Sequence, residues 1–289
     1  MNSFKSGLAL VTLLFAQPIF ACTIDGKEGF LPKNDMYISV HDKAAAGINE
    51  SQFNSVIDKI ETLYTSIVSQ YGGELQVERN WSDGTVNAYA EQVGSIWKVA
   101  MFGGLARHRT ITEDGFALVV CHELGHHIGG APKYNSDEWA SNEGQSDYFA
   151  TLKCLRRVWM SENNQEIVAK MDVPQIVKSS CAKSWSDKAD EAICIRGAMA
   201  GDSVAKLFAS MSWGRAPKFD TPDRKIVGRT NDRHPAYQCR LDTYFQGALC
   251  EKSYNEDVAQ DSEVTGTCHG SLGDMTGLRP LCWFRPQAQ

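Results

Sequence analysis

The chain has 289 residues, 43% of them hydrophobic, enough for one sizeable core and too apolar for a disordered chain. Its formal charge of −6 argues against nucleic acid as a partner. Nine cysteines with no C-x-x-C pair point to disulfides in an exported protein rather than to a thiolate metal site.

Residues 1–21 read as a secretory signal peptide: a polar start with Lys5, an apolar stretch from Leu8 to Ala16, then Gln17-Pro18-Ile19-Phe20-Ala21. The stretch is too short to span a membrane, and no later apolar run approaches about 18 residues. Plain cleavage after Ala21 is expected, delivering the chain to the periplasm or outside the cell. Lipidation of Cys22 is the alternative. It would leave eight cysteines to pair, although the bulky Phe20 makes a poor lipobox.

Ile48 to Tyr71 reads as a long amphipathic helix, with Phe53, Ile57, Ile60, Tyr64, Ile67 and Tyr71 at steps of three and four. Asn49 and Gln52 supply a capping box. Three β-prone runs follow: Glu74 to Trp81, Thr85 to Ala90 and Ser95 to Phe102, the first two separated by the turn residues Ser82-Asp83-Gly84.

The chemistry begins at His122-Glu123-Leu124-Gly125-His126, an H-E-x-x-H pattern. Phe116, Val120, Leu124 and Ile128 form one row at i+4 spacing; Leu118, His122 and His126 form another about 200° away. The core is expected to hold the first row while the second presents ligands. Thr112 and Asp114 can cap the start, and Gly129-Gly130 before Pro132 stops the helix. Two imidazoles four apart stand one above the other and can bind one Zn²⁺ from a single rigid element. Glu123, one position on, can take a proton from a zinc-bound water.

Asn142 to Ala150 opens a second helical pattern, with Tyr148, Leu152, Leu155 and Trp159 as its buried stripe. Glu143 is the expected third zinc ligand, and two His with one carboxylate leave an open position for water. Asp147, on the same face one turn on, can accept the spare N–H of a ligating histidine.

H-E-x-x-H followed by E-x-x-x-D resembles the gluzincin metallopeptidases. Asn87-Ala88-Tyr89-Ala90 with Gly94, Ile96, Val99 and Gly104-Leu105, and downstream His234-Pro235 with Arg240, resemble stretches of the group that contains the CAAX prenyl proteases, the HtpX heat-shock proteases and their periplasmic relatives. The matches span roughly residues 50 to 245, with fewer residues between His126 and Glu143 than most of that group inserts. The resemblance implies an α+β zincin-type domain, one Zn²⁺ per chain and protein or peptide substrates. It also implies that the region of Asn87, Ala88, Tyr89 and Ala90 is the sheet edge on which a substrate lies; an interior hairpin is the alternative. It places His234 and Arg240 near the active site. Pro235 suggests that His234 stands at a helix cap, with Leu241, Tyr244, Phe245 and Leu249 as the packed side. Three roles stay open for His234: fourth ligand, donor to the developing oxyanion, or plain cap. Arg240 could serve the oxyanion or orient Asp147.

Residues 22–250 thus read as one zinc metallopeptidase domain, helical from 160 around Pro174 and the loop Trp213 to Arg233, where Gly, Pro, Lys and Arg cluster. Residues 251–289 read as an irregular tail. Pairing sequence neighbours suggests Cys121–Cys154, Cys181–Cys194, Cys239–Cys250 and Cys268–Cys282. The expected function is an exported zinc endopeptidase, with a binding or chaperone-like envelope protein on the same fold as the rival.

Overall fold

The computed structural model describes residues 19–20, 29–43, 45–134, 139–211 and 215–286. The expected leader, apart from residues 19 and 20, and Cys22 lie outside the described residues. The architecture is α+β, a small sheet with helices packed around a central helix.

The long first helix α1 runs Glu50–Gln70 behind the capping box: Asn49 Oδ1 accepts from Gln52 N, and Gln52 Oε1 from Asn49 N, both at 3.0 Å. Its stripe of Phe53, Val56, Ile57, Ile60, Tyr64 and Val68 is buried. The sheet order is β1-β3-β4-β2, comprising Ile19–Phe20, Ala88–Val93, Ile96–Phe102 and Glu74–Asn80. β3 and β4 form a hairpin closed by Gly94, whose φ of 61° needs no side chain in the way. β2 pairs with β4, in parallel, so the first two β-prone runs are not neighbours: β4 lies between them. The strand expected from Thr85 begins at Ala88, because Thr85 to Asn87 bond instead to the N-terminal segment. Asn87 Oδ1 accepts from Leu31 N at 2.9 Å, and Phe30 N donates to Ala88 O at 2.8 Å.

The central helix α3, Glu113–Ile128, follows the short α2, Gly103–Arg107. Thr112 caps α3 by accepting from Gly115 N at 3.0 Å, and it ends at Gly129. Every residue from Gly115 to Ile128 is buried, so both rows face protein: α1, the later helix α8 (Lys188–Ser210) and the sheet surround it, with α4 (Glu143–Phe149) on the ligand side. The helix α4, Glu143–Phe149, is capped by Asn142 and runs through a π-helical turn, Ala150–Cys154, into α5, Leu155–Trp159. Three further helices, α6 (Asn164–Val168), α7 (Gln175–Ser184) and α8 (Lys188–Ser210), precede α9 (Tyr237–Leu249).

Among the described residues, eight cysteines form four disulfides, consistent with an exported protein, and no helix is long and apolar enough to cross a membrane. Cys121–Cys154 ties α3 to the end of the π turn, and Cys181–Cys194 joins α7 to α8. The other two pairs correct the neighbour rule: Cys239 bonds Cys282 and Cys250 bonds Cys268. Cys239 sits in the first turn of α9 and Cys250 just past its end. Eleven residues at 1.5 Å rise separate them by about 16 Å, while a disulfide needs Cα atoms about 4.4–6.8 Å apart. Both bonds therefore reach into the tail, whose Trp283 is fully buried against α4 at Gly144.

Candidate metal centre

His122 and His126 project from α3, and Glu143 opens α4 where Asn142 turns the chain into the helix. The three side chains meet in a fully buried cluster. Nε2 of His126 is 3.2 Å from Nε2 of His122. Glu143 Oε2 is 3.4 Å from His122 Nε2, and Oε1 is 3.8 Å from His126 Nε2. A tetrahedral ion with bonds of about 2.0–2.1 Å sets its ligands about 3.3 Å apart. The triad matches that spacing.

The outer nitrogens settle which way the rings donate. His126 Nδ1 lies 2.8 Å from the carbonyl of Ser141, an acceptor only, so the proton stays on Nδ1. Ser146 Oγ is 3.1 Å from the same nitrogen. His122 Nδ1 lies 2.7 Å from Asp147 Oδ1, an ion-pair contact whose negative charge favours the proton on that nitrogen. With both Nδ1 atoms donating, both Nε2 lone pairs and the Glu143 carboxylate aim at one point, and the arrangement demands positive charge there. Two features express that demand. Burial opposes an imidazolium at His122, yet Asp147 and Glu143 raise its pKa to about 9, as if a proton filled the place of a cation. Burial opposes ionised Glu143 too, but His234, His122 and His126 hold its carboxyl well below the usual range. His126, without a comparable carboxylate pair, is lowered by burial to about 3. His122, His126 and Glu143 thus make a triad fit to hold a metal ion.

Behind the triad stands a second charged layer. Arg240 on α9 grips Asp147 with two hydrogen bonds, Nε to Oδ2 and Nη2 to Oδ1, both 2.8 Å, and its Nη1 donates to Phe30 O at 2.9 Å. The guanidinium lies between the rings of Phe30 and Phe208, 4.5 and 4.6 Å from their centroids. Arg240 therefore positions Asp147, which fixes the His122 tautomer; of its two readings the structure places it on the carboxylate. Arg240, after burial is overcome, keeps Asp147 ionised by its charge.

His234 is not a helix cap. α9 begins at Tyr237 with Ala236 as its cap, so Pro235 precedes the helix rather than opening its first turn. Freed from the cap, His234 reaches Glu143, with Nε2 3.2 Å from Oε2. Glu123 is fully buried, turned about 100° around α3 from His122. Ala88, Tyr89 and Ala90 lie in β3, one of the two full strands that flank β4 and itself paired on its far side with Ile19–Phe20, whereas Asn87 is spent on clamping residues 29–31. Ala90 turns its backbone the same way as Ala88, and its side chain packs with Ala140, Tyr134 and Trp139.

Three contributors carried no sequence signal. Tyr134, in the loop between α3 and α4, donates from its hydroxyl to Glu143 Oε1 at 2.7 Å. Phe30 meets His122 edge-on, with centroids 4.9 Å apart. The Ser141 carbonyl is main chain and has no residue code at all. His127, next to the motif, is structural: Nε2 faces Lys98 O at 2.9 Å, Nδ1 faces Gln92 Nε2 at 3.2 Å, and the ring stacks between Trp97 and Trp139.

In comparisons with family models, curated proteins and solved structures, none matches this chain.

Proposed function

We propose that the protein is an exported zinc-dependent endopeptidase, acting in the periplasm or outside the cell. The observation that carries this reading is the convergence of two Nε2 lone pairs and a carboxylate within 3.2–3.8 Å, with both Nδ1 atoms already committed. Two His and one carboxylate on neighbouring helices form the ligand set of catalytic rather than structural zinc sites. Zinc, when bound, acidifies the attacking water and polarises the scissile carbonyl. Glu123 takes the proton from that water and returns it to the leaving amine. Asp147 holds His122 with Nε2 deprotonated, and Arg240 keeps Asp147 ionised. The outer edge of β3 at Ala90 receives the substrate as an added antiparallel strand. The pairing of Ile19–Phe20 with Glu91 and Gln92 supports an edge that accepts such a strand. His234 and Tyr134, both on Glu143, stand where a substrate carbonyl would approach.

One observation favours a second reading. His122, Glu123, His126, Glu143 and Asp147 are all fully buried, beneath Phe30, Tyr134 and His234. A non-catalytic envelope binding protein would have no need to open that site. The deciding experiment measures zinc content and cleavage of a carboxymethylated, unfolded protein by wild type and by Glu123→Gln. The amide is nearly isosteric and is not a ligand, so zinc content should stay at one per chain while cleavage falls by about 10²–10⁴. Comparable cleavage by Glu123→Gln refutes the proposed base. Zinc binding with no cleavage of any unfolded protein by wild type hands the case to the binding protein.

A further inference from the structure

A groove of about 920 Å³ lies between the loop after α3 and the C-terminal segment, lined by Lys133, Tyr134, Arg229, Asp232, Glu263 and Arg285 among others. Two of its lining residues adjoin the site. Tyr134 donates to Glu143 at 2.7 Å, and Asp232 Oδ1 accepts from Nδ2 of Asn142, the cap of α4, at 3.1 Å. Two residues beyond Asp232, His234 reaches Glu143.

The groove walls are tied together. Val227 N bonds Leu281 O at 3.0 Å, Asn231 N bonds Trp283 O at 2.8 Å, and Arg285 N bonds Thr230 Oγ1 at 3.1 Å. The Cys239–Cys282 disulfide anchors the tail segment to α9, and Trp283 packs on Gly144 beside Glu143. The segment bearing Arg229 and the one bearing Arg285 are therefore held in fixed relation to the ligand helix.

The charge of this region runs against the chain's. The formal net charge is −6, yet residues 224–233 carry Arg224, Lys225, Arg229 and Arg233 against Asp232 alone. Among the described residues, the exposed guanidinium groups of Arg229 and Arg285 meet no carboxylate. Lys133 Nζ donates to two neutral oxygens, Trp139 O at 2.8 Å and Gln260 Oε1 at 2.6 Å, and meets no carboxylate among the described residues, while burial lowers its pKa to about 8. Of the two groove acids, Asp232 accepts from Asn142, and Glu263 is partly buried beside the charge of Arg279.

We propose that this groove binds an acidic stretch of polypeptide extending from the metal centre, so that the site selects substrates with Asp or Glu on one side of the bond presented to it. Arg229 and Arg285, with Lys133 partly buried beside them, are cations that meet no carboxylate among the described residues, and at a rigid, open groove they attract a run of carboxylates and repel basic chains. The volume lies near the top of the roughly 300–1,000 Å³ range of ligand pockets, which suits an extended segment rather than one side chain. The cleavage part of the proposal rests on the endopeptidase reading; the binding part does not.

The test separates the two. Fluorescein-labelled Glu-rich and Gln-substituted peptides of equal length are titrated into full-length Glu123→Gln, which cannot turn them over. Two exposed ion pairs, at Arg229 and Arg285, and a partly buried one at Lys133 predict up to about tenfold tighter binding of the Glu peptide at low salt, shrinking as salt screens it. Arg229→Glu/Arg285→Glu should bring that preference below about twofold, and Arg229→Gln/Arg285→Gln should give an intermediate value. Equal binding of the two peptides, or a preference that survives both double variants, overturns the proposal. Inorganic polyphosphate competing as well as the Glu peptide overturns it too, because the groove would then be a general anion patch. Selective binding with no cleavage by wild type sinks the endopeptidase reading and leaves the groove standing. Cleavage of both peptides without preference does the reverse.

Discussion

Asp147→Asn is the sharpest perturbation of the centre, because it removes one charge and almost no volume. Asp147 makes three contacts: His122 Nδ1 at 2.7 Å and Arg240 Nε and Nη2 at 2.8 Å each. An asparagine offers one oxygen for these three donors, and its NH₂ must face either the guanidinium or the imidazole N–H. The Arg240 charge then stays buried between Phe30 and Phe208, with Glu143 Oε2 at 4.0 Å as its nearest anion. Removing one partner of a buried pair costs about 3–5 kcal/mol, a large part of the roughly 5–15 kcal/mol by which such domains are stable. The His122 ring also loses its tautomer lock, which predicts zinc binding weaker by about 10–100-fold. Arg240→Met should cost a similar amount by stranding Asp147, while the double variant strands nothing and is less damaged than the sum. Urea unfolding of the four proteins in the zinc-free state gives the coupling, expected at about 2–3 kcal/mol; a chelator competition gives the zinc affinity. A coupling under about 0.5 kcal/mol, within ordinary additivity, would refute the clamp. So would unchanged zinc affinity in Asp147→Asn.

Further outcomes follow from other residues. Thiol titration of the denatured mature protein should find none of the eight paired cysteines free. Cys121→Ser/Cys154→Ser, opening a bond between residues 33 apart, should cost roughly 3.5–4 kcal/mol and weaken zinc binding by loosening the two ligand helices. Gly144→Ala would bring its Cβ to 2.2 Å from the Trp283 ring, so it should destabilise by about 1–3 kcal/mol. Trp283→Leu in the same chain should recover part of that loss in a thermal melt. Burial pushes the Asp242 carboxyl up to about 6, above its unfolded value of about 3.9. Its contribution to stability is therefore complete below about pH 3.9 and lost as pH rises through 6. Asp242→Asn should lose less stability than wild type between pH 4 and pH 7, read from urea midpoints at each pH.

The ligand helix and the capping box of α1 were legible because both are local. H-E-x-x-H works through a spacing of four that any α-helix converts into one face, and Asn49 and Gln52 bond within one turn. Glu143 and Asp147 were readable for the same reason, being one turn apart on a helix that begins at Asn142. Tertiary structure decided everything that depends on which distant segments meet. It inserted β4 between β2 and β3, buried α3 on all sides, and gave Arg240 to Asp147 across 93 residues of chain. It also sent Cys239 to Cys282, since the rise of α9 carries Cys250 out of reach. Tyr134, Phe30 and the Ser141 carbonyl joined the site without any motif, because a loop or a main-chain oxygen has no period to betray it. Local spacing specifies which side chains share a face of one element. What opposes that face is set by packing, whose driving force is non-directional and leaves no mark in the order of residues.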